Sequence, residues 1–313
     1  MTNQRQFAAV GFHSGELEAQ HHAGVQTQAA RLAGMVGPAE LRPGIAAFLA
    51  GTTFAAITAR DRTGRLWTSP LPGPPGFLHA SGPSTLRINT LVPSADPLHS
   101  PPTGQPAGVI AIDFTTRRRV RINGVITASD NAGLTLDVEQ AYGNCPQYIQ
   151  QRRITIGEES HHPARTPQYR GELLRRTDIR LIESADTFFL GTTHPDSGND
   201  ASHRGGPAGF VRVTPEGLWW PDYPGNNMFN SFGNLAVDPT AALLFVDFRT
   251  GNTLQLSGTA AVDWDTPAEG DDGETGRRAQ FITRHVVTTS MPDLAEDAHA
   301  AYPHNPPLTD RHQ

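Results

Sequence analysis

The sequence predicts a mainly β protein of the α+β class, in which two similar units follow one another along the chain. Its 313 residues exceed the usual length of one domain, so two domains are the natural expectation. A segment near residue 73 recurs near residue 206, and later segments recur at almost the same offset. Each half also contains several short strand patterns and little helix. These three observations indicate two barrels or sandwiches in tandem.

The repeat consists of motifs that occur in the same order in both halves. GPPGFL (73–78) recurs as GPAGFV (206–211), a shift of 206 − 73 = 133 residues that Ser69 and Ser202 share. IAIDFTTRRRVRINGVI (110–126) aligns with LFVDFRTGNTLQLSGTA (244–260), a shift of 244 − 110 = 134. A single Gly/Pro motif would recur by chance, but several collinear matches at nearly one offset indicate a duplication.

The predicted elements of the two units also follow one order. A helical stretch (41–49 and 173–185) leads into a β-branched and aromatic strand (52–58 and 186–192), and a Gly/Pro turn comes next. Alternating patterns predict further strands at 86–89, 108–114, 120–127, 134–142, 209–213, 217–220, 242–248 and 253–264. Ahead of the first unit, residues 14–36 are predicted to form one additional helix, capped by Ser14.

These elements divide the chain into five segments. They are an N-terminal helical extension (1–40), a first unit (41–152), a linker (153–171), a second unit (172–290) and a poorly ordered tail (291–313). Two surface loops are also predicted, the Pro-rich stretch 92–106 and the acidic stretch 265–274.

Composition and charge exclude several classes of function. All 25 basic residues are arginine, which excludes a pyridoxal Schiff base and a phosphate-loop lysine. The net charge of −6 argues against nucleic-acid binding, and no apolar run is long enough for a membrane helix. The N-terminus lacks the pattern of a secretory signal, so a cytoplasmic location is expected. The single cysteine, Cys145, fits a reducing compartment.

Several runs resemble the FMN-binding split β-barrel family related to pyridoxamine 5'-phosphate oxidase. They are ASHRGGPAGFV (201–211), WWPDYPGNNMFNSFGNLAVDPTAALLFVDF (219–248), LQLSGTA (254–260), RRRVRINGVI (117–126) and QAYGNCPQYIQ (140–150). The resemblance covers roughly residues 40–150 and 172–265. It implies two tandem split β-barrel units with flanking helices. Because flavins of this family lie between two barrels, it also implies that the repeat forms an internal pseudo-dimer.

The resemblance implies an FMN site in the second unit. In the family, a serine and an arginine before the second strand lie along the flavin ring and ribityl chain, and these are Ser202 and Arg204 here. The implied ribityl and phosphate contacts are Pro221, Asp222, Tyr223, Asn226, Asn227, Asn230 and Ser231. The neighbouring His203, Gly205 and Gly206 complete the predicted set. The chain lacks the oxidase's basic pair at the phosphate and offers amide and hydroxyl donors instead.

The residues of this turn support an anion site independently of the family. PGNNMFNSFGN (224–234) leads into a predicted helix, and such a turn exposes N–H groups that can hold a phosphate. An ordinary Asn/Gly turn is the alternative. For Arg204, between Ser202 and two glycines, close approach of a ligand competes with a surface ion pair.

The comparison of the two units predicts one site rather than two. Where the second unit has Ser202-His203-Arg204-Gly205, the first has Ser69-Pro70-Leu71-Pro72, which lacks the cation and two N–H donors. The first unit is therefore expected to form the opposite wall. Arg119 and Arg121 share one face of a strand there and could reach the phosphate, a solvated basic strand being the alternative.

The function expected from the resemblance is that of an FMN-dependent oxidoreductase acting on a small molecule or a reduced nicotinamide. The sequence identifies no catalytic residue and no metal site. The alternatives are a non-catalytic flavin-binding or flavin-sequestering protein, and the same fold with a deazaflavin or haem. Cys145 is interpreted as a structural cysteine rather than a redox nucleophile. A monomer with an internal pseudo-dimer, or a homodimer, is expected.

Overall fold

The computed structural model of the chain describes residues 11–36, 40–157, 169–266, 273–291 and 294–308. The N-terminal part contains α1 (Ser14–His22), α2 (Gln26–Ala30), a 3-10 helix (Ala33–Val36) and α3 (Pro43–Gly51). Seven strands follow: β1 (Phe54–Arg60), β2 (Leu66–Pro72), β3 (Leu78–Ala80), β4 (Thr85–Ile88), β5 (Pro106–Asp113), β6 (Arg118–Asp130) and β7 (Gly133–Asn144).

The second half repeats this arrangement after a short connection. The connection contains β8 (Gln151–Ile156), β9 (Tyr169–Gly171) and α4 (Arg176–Ser184). The second set of elements is β10 (Thr187–His194), β11 (Gly198–Gly205), β12 (Arg212–Thr214), β13 (Gly217–Pro221), α5 (Asn230–Val237), β14 (Thr240–Asp247), β15 (Asn252–Asp263) and β16 (Arg278–Ser290), followed by β17 (Leu294–Ala300). No helix of the described residues is long and apolar enough to cross a membrane.

The two large sheets have the same strand order. The first runs β2-β1-β5-β6-β7-β4-β3, and the second runs β11-β10-β14-β15-β16-β13-β12. Replacing β1–β7 by β10–β16 converts one order into the other, and the strand pairs of both sheets are antiparallel. Two split β-barrel units in tandem are therefore the architecture of this chain.

Local details are repeated as well. Gly124 and Gly258 each lie at a β-bulge, where a Cβ would overlap a carbonyl oxygen of the neighbouring strand. Gly73 and Gly206 each face the ring of the phenylalanine four residues later, so that neither position has room for a side chain. The same sequence motif thus forms the same turn in both units.

The described residues form four apolar clusters: one in each unit, one between the units and a small one around Val36, Tyr142 and Met228. The cluster between the units contains equivalent side chains from β5 and β14 and from the turns after them: Ile110 and Leu244, Ile112 and Val246, and Phe114 and Phe248. Phe114 and Phe248 have ring centroids 5.2 Å apart. Because equivalent residues face each other, the two barrels form an internal pseudo-dimer with an isologous interface.

The structure differs from the sequence prediction in the N-terminal and C-terminal segments. Residues 14–36 form three short helices rather than one, and Gly24 has a φ of 66° just after α1. The cap of α1 is His13, whose ring accepts the Glu16 N–H, and Ser14 is the first helical residue. In the expected tail, β17 pairs with β8 of the linker region in a two-stranded sheet. Most of the linker (158–168) and of the acidic loop (267–272) lies outside the described residues.

Candidate functional site

An open cleft lies where the first unit meets the second. The strand β6 and the segment after β7 form one wall, and β11, the end of β13 and the start of α5 form the other. The cleft contains about 950 Å³ of space, counting its solvent-exposed mouth.

The structure brings nearly all the predicted cofactor residues together in this cleft. Those that line it are Arg119, Arg121, Ser202, His203, Arg204, Gly205, Pro221, Asp222, Tyr223, Asn226, Asn227, Asn230 and Ser231. Residues from both units contribute, since Arg119 and Arg121 extend from the same face of β6.

The two predicted glycines differ in their position, since Gly205 lines the cleft and Gly206 does not. Gly206 does not line the cleft, because its Cα faces the rings of Phe210 and Tyr223. A Cβ at Gly205 would overlap the carbonyl oxygen of Tyr148. Both glycines therefore allow close packing of other parts of the protein against the backbone.

Other residues of the cleft were not among the predicted cofactor contacts. They are Ile110, Asn144, Cys145, Gln147, Tyr148, Phe210, Trp220, Gly225, Phe229, Phe232 and Arg277. Asn144 to Tyr148 belong to a segment that carried the family resemblance, so that signal was present in the sequence. Arg277 follows the acidic loop and precedes β16, where no repeated motif marked it.

Two carboxylates neutralise three of the four arginines in the cleft. Asp222 accepts a hydrogen bond from Arg277 Nε at 2.9 Å and lies 3.8 Å from Arg204 Nη1. Arg121 Nη1 donates to Asp200 Oδ2 at 2.9 Å. The Arg204 guanidinium also lies 5.5 Å from the centroid of the Phe232 ring. Arg204 is therefore held in place from two sides.

Arg119 is the exception among these arginines. Within the described part of the chain it pairs with no carboxylate, and its Nη1 donates instead to His203 Nδ1 at 2.8 Å and to the His203 carbonyl oxygen at 3.3 Å. Burial lowers the pKa of Arg119, and the nearby Arg121 lowers it further. Arg119 is partly exposed at the cleft, and a partly buried cation without a counter-charge is costly, so an anionic group of a ligand would stabilise it.

His203 is a buried neutral histidine at the floor of the cleft. Burial lowers its pKa well below the usual value, and Arg119 adds to this effect. Because Arg119 donates to Nδ1, the proton of the neutral ring is on Nε2. Nε2 is buried and has no hydrogen-bond partner among the described residues, so it is a donor available to a ligand.

Seven buried side-chain polar atoms at the cleft have no hydrogen-bond partner among the described residues. They are Nε of Arg119, Arg121 and Arg204, Asn144 Nδ2, His203 Nε2, Trp220 Nε1 and Ser231 Oγ. All but the serine hydroxyl are N–H donors. Since buried donors in native proteins are usually satisfied, this arrangement fits a ligand rich in acceptors, as a flavin with its ring carbonyls and phosphate is.

The turn between β13 and α5 offers fewer donors than its sequence suggested. Asn226 Nδ2 donates to Asn144 Oδ1 of the first unit at 3.2 Å, and Asn230 Nδ2 donates to Glu16 Oε1. Asn227 and Phe229 have φ values of 61° and 60°, which fold the backbone back before α5. The Ser231 hydroxyl remains the donor of this turn without a partner among the described residues.

The equivalent position of the other unit is closed. Gln255 replaces Arg121 in the repeat, and its amide donates to Ser69 Oγ at 2.9 Å and to Asp96 Oδ2 at 3.0 Å. Ser69 Oγ also donates to Asp96 Oδ1 at 2.5 Å, and Leu71 is fully buried. The loop that carries Asp96 thus lies against the residues that are equivalent to Ser202 and Arg121 of the cleft.

Comparisons with known proteins agree with this fold. The family model described as pyridoxamine 5'-phosphate oxidase matches residues 179–300. A comparison with curated protein sequences finds no match.

Similar solved structures each cover about two fifths of this chain. The haem storage protein HutZ from Vibrio cholerae is 14% identical, over 37% of this chain and 95% of its own, with a TM-score of 0.28. A putative pyridoxamine 5'-phosphate oxidase from Lactobacillus delbrueckii is 13% identical, over 37% and 94%, with a TM-score of 0.31. An F420 reductase is 14% identical, over 38% and 100%, with a TM-score of 0.28.

The matched residues extend from α4 to β17 and include the strands β10–β16, whose order the first sheet repeats. Residues 179–300 thus match the pyridoxamine 5'-phosphate oxidase family model, and the chain as a whole has a tandem split β-barrel fold.

Proposed function

We propose that this protein binds one FMN in the cleft between its two units and uses it as an oxidoreductase. The observation that carries the proposal is a set of N–H donors around Arg119 that, like the Arg119 cation itself, have no carboxylate or other acceptor to satisfy them among the described residues, apart from the two bonds that Arg119 donates to His203. Those donors match the acceptors of a flavin, and Arg119 matches an anion such as its phosphate. Bound FMN would supply hydride or electron transfer at its ring.

The residues of the chain have separate roles in this proposal. Arg204, fixed by Asp222 and Phe232, and His203 through Nε2–H would donate to acceptors of the flavin. Arg119 and Ser231 would hold the phosphate from opposite walls. The stacked rings of Phe210 and Tyr223, with centroids 6.2 Å apart, and Tyr148, 5.0 Å from Tyr223, would exclude water from the ring.

The geometry argues against haem ligation by His203. An iron ligand needs an unprotonated ring nitrogen, and both nitrogens are committed here, since Nδ1 accepts from Arg119 and Nε2 carries the proton. A deazaflavin has a similar outline and acceptor set. An absorption spectrum of the purified protein distinguishes FMN, deazaflavin and haem.

Neighbouring arginines on β6 provide a matched test of the site. Arg118 is exposed and Arg119 faces the cleft, so Arg118→Ala is the control for Arg119→Ala. We expect Arg119→Ala to weaken FMN binding about tenfold to a hundredfold, since a charge-assisted hydrogen bond contributes about 1.5–3 kcal/mol. Arg118→Ala should bind FMN as the wild type does. Equal FMN affinity in the wild type, Arg118→Ala and Arg119→Ala would overturn the assignment of FMN to this cleft.

A turnover assay distinguishes an oxidoreductase from a protein that only binds flavin. The FMN-loaded protein is mixed with a reduced nicotinamide, and oxidation of the nicotinamide is followed in the presence and absence of oxygen. We expect oxidation that depends on bound FMN and falls with FMN occupancy in Arg119→Ala. Tight FMN binding without any turnover would favour the sequestering function.

A further inference from the structure

The N-terminal helix α1 packs directly on α5, the helix that begins at the cleft. The two helices approach closely at Gly15 and Gly233, where a Cβ on either residue would overlap backbone or side-chain atoms of the other helix. Gln20 Nε2 donates to the carbonyl oxygen of Met228 at 3.1 Å. The N-terminal extension is thus attached to the turn that forms one end of the cleft.

Glu16 is the buried acid of this contact. It is 4% exposed, and one of its oxygens accepts the backbone N–H of His13 at 2.8 Å. Its other oxygen, Oε1, accepts a hydrogen bond from Nδ2 of Asn230, the first residue of α5. Glu16 therefore reaches the cleft through one amide group.

Asn230 lines the cleft and has one partner. Its NH2 group is engaged by Glu16, and no described residue hydrogen-bonds its oxygen. In this orientation the oxygen is the group of the Asn230 amide that remains for a ligand, in contrast to the donors around the cleft. A rotation of the amide by half a turn would present the NH2 group instead.

The groups around Glu16 leave its protonation finely balanced. Burial raises the pKa of Glu16 to about 7, while the His13 N–H and Asn230 oppose the rise. Asp200 of β11 raises this pKa and Arg121 of β6 lowers it, and Tyr142 of β7 also interacts electrostatically with Glu16. His13 stays neutral, because burial lowers its pKa to about 4 and the nearby His194 lowers it further.

We propose that Glu16 is a positioning residue, whose protonation decides whether Asn230 presents its oxygen or its NH2 group to a ligand in the cleft. The carboxylate accepts from the Asn230 NH2 group and leaves the oxygen facing the cleft. The carboxylic acid, formed by uptake of one proton from solvent, donates to the Asn230 oxygen and turns the NH2 group toward the ligand.

The role of Glu16 rests on the proposed function, which assigns FMN to the cleft. It predicts the direction in which protons move when FMN binds. FMN offers acceptors to this end of the cleft, so its binding favours the form with the NH2 group turned inward. Binding therefore favours protonated Glu16. The protein should take up protons from solvent when FMN binds at a pH just above 7.

Calorimetry measures this uptake directly. FMN is titrated into the wild type in buffers with different ionisation enthalpies, and the dependence of the binding heat on the buffer gives the number of protons taken up. Glu16→Gln is nearly isosteric and cannot titrate, so we expect it to take up fewer protons than the wild type. The exposed Glu18→Gln, on the same helix, should match the wild type. Protonation of the FMN phosphate contributes equally to all three and cancels.

A second variant, Asn230→Ala, distinguishes a folding defect from the proposed role of Glu16. In Asn230→Ala, the link between Glu16 and the cleft is absent, so adding Glu16→Gln should no longer change proton uptake. FMN binding with equal proton uptake in the wild type and Glu16→Gln would overturn the role of Glu16 alone. An absence of FMN binding by the wild type would overturn the proposed function, and the role of Glu16 with it.

Discussion

Arg204 and Leu71 occupy equivalent positions in the two units, and the contrast between them was readable in the sequence. The β1–β2 register pairs Leu71 with Ala55, and the β10–β11 register pairs Arg204 with Phe188, one residue before the end of each strand. The structure adds that Leu71 is fully buried while Arg204 lines the cleft. Hydrogen-bond partners were beyond the sequence, because they depend on segments far along the chain. Asn230, for example, is bound by Glu16, 214 residues away.

Substitution of the two residues should have opposite consequences. Arg204→Ala should weaken FMN binding about tenfold to a hundredfold through the lost charge-assisted hydrogen bond. Its free energy of unfolding should change little, because Asp222 keeps its bond to Arg277. Leu71→Ala should leave FMN affinity nearly unchanged and lower the free energy of unfolding by about 2–5 kcal/mol through the cavity it creates. Fluorescence titration and urea unfolding test both; a larger loss of FMN affinity in Leu71→Ala would move the site to the first unit.

Asp96, at the closed position of the first unit, should make the free energy of unfolding depend on pH. Burial raises its pKa from 3.8 to about 6, and the hydrogen bonds from Ser69 and Leu98 oppose that rise. The folded state therefore holds the proton more tightly than the unfolded state. The contribution of Asp96 to stability is fully present below about pH 4 and is lost as the pH rises through about 6, by an amount on the order of 3 kcal/mol.

Urea unfolding of the wild type and Asp96→Asn across this pH window measures the effect. Asparagine does not titrate, so the difference between the two free energies of unfolding should shift in favour of the variant as the pH rises. A difference that stays constant from pH 4 to pH 7 would show that Asp96 titrates alike in the folded and unfolded states.

At the scale of elements, the sequence predicted strands with strong alternation and missed those whose pattern is weak. The hydrophobic stretches of β5, β6, β14 and β15 were predicted from alternation and repetition. The edge strands β2 and β11 were missed because prolines in β2 and polar residues in β11 hide them. Residues 14–36 were taken as one helix because Gly24 alone does not reveal a break.

The packing of α1 on α5 predicts an unusual response to a glycine substitution. Alanine in a helix normally stabilises relative to glycine, by about 1 kcal/mol. Gly233→Ala should instead destabilise, because the added Cβ would overlap the backbone of Glu16. Gly44→Ala in α3, where nothing lies within 4 Å of the added Cβ, is the control and should be neutral or stabilising.

Urea unfolding and hydrogen exchange report the outcome of this comparison. Gly233→Ala should lower the free energy of unfolding and speed amide exchange in α1 relative to Gly44→Ala. A gain in stability from Gly233→Ala with unchanged exchange in α1 would contradict the close contact between the two helices.

At the scale of the molecule, the collinear matches at offsets of 133 and 134 were enough to predict the duplication, and the family resemblance added the internal pseudo-dimer. The interface follows from the same symmetry, since Phe114 and Phe248 face each other across it. The symmetry is broken in the loops, and the sequence could not show how. In one half the loop with Asp96 folds inward, and in the other the turn with Asn230 leaves an open cleft.

The broken symmetry makes stoichiometry the most direct test of the proposed single FMN site. FMN is titrated into the purified chain and the complex is observed by native mass spectrometry, which reports flavins and chains together. One FMN for each chain is expected, because Gln255, Ser69 and Asp96 occupy the second position. Two FMN molecules for each chain, or none at saturating FMN, would contradict a single cleft built from both units.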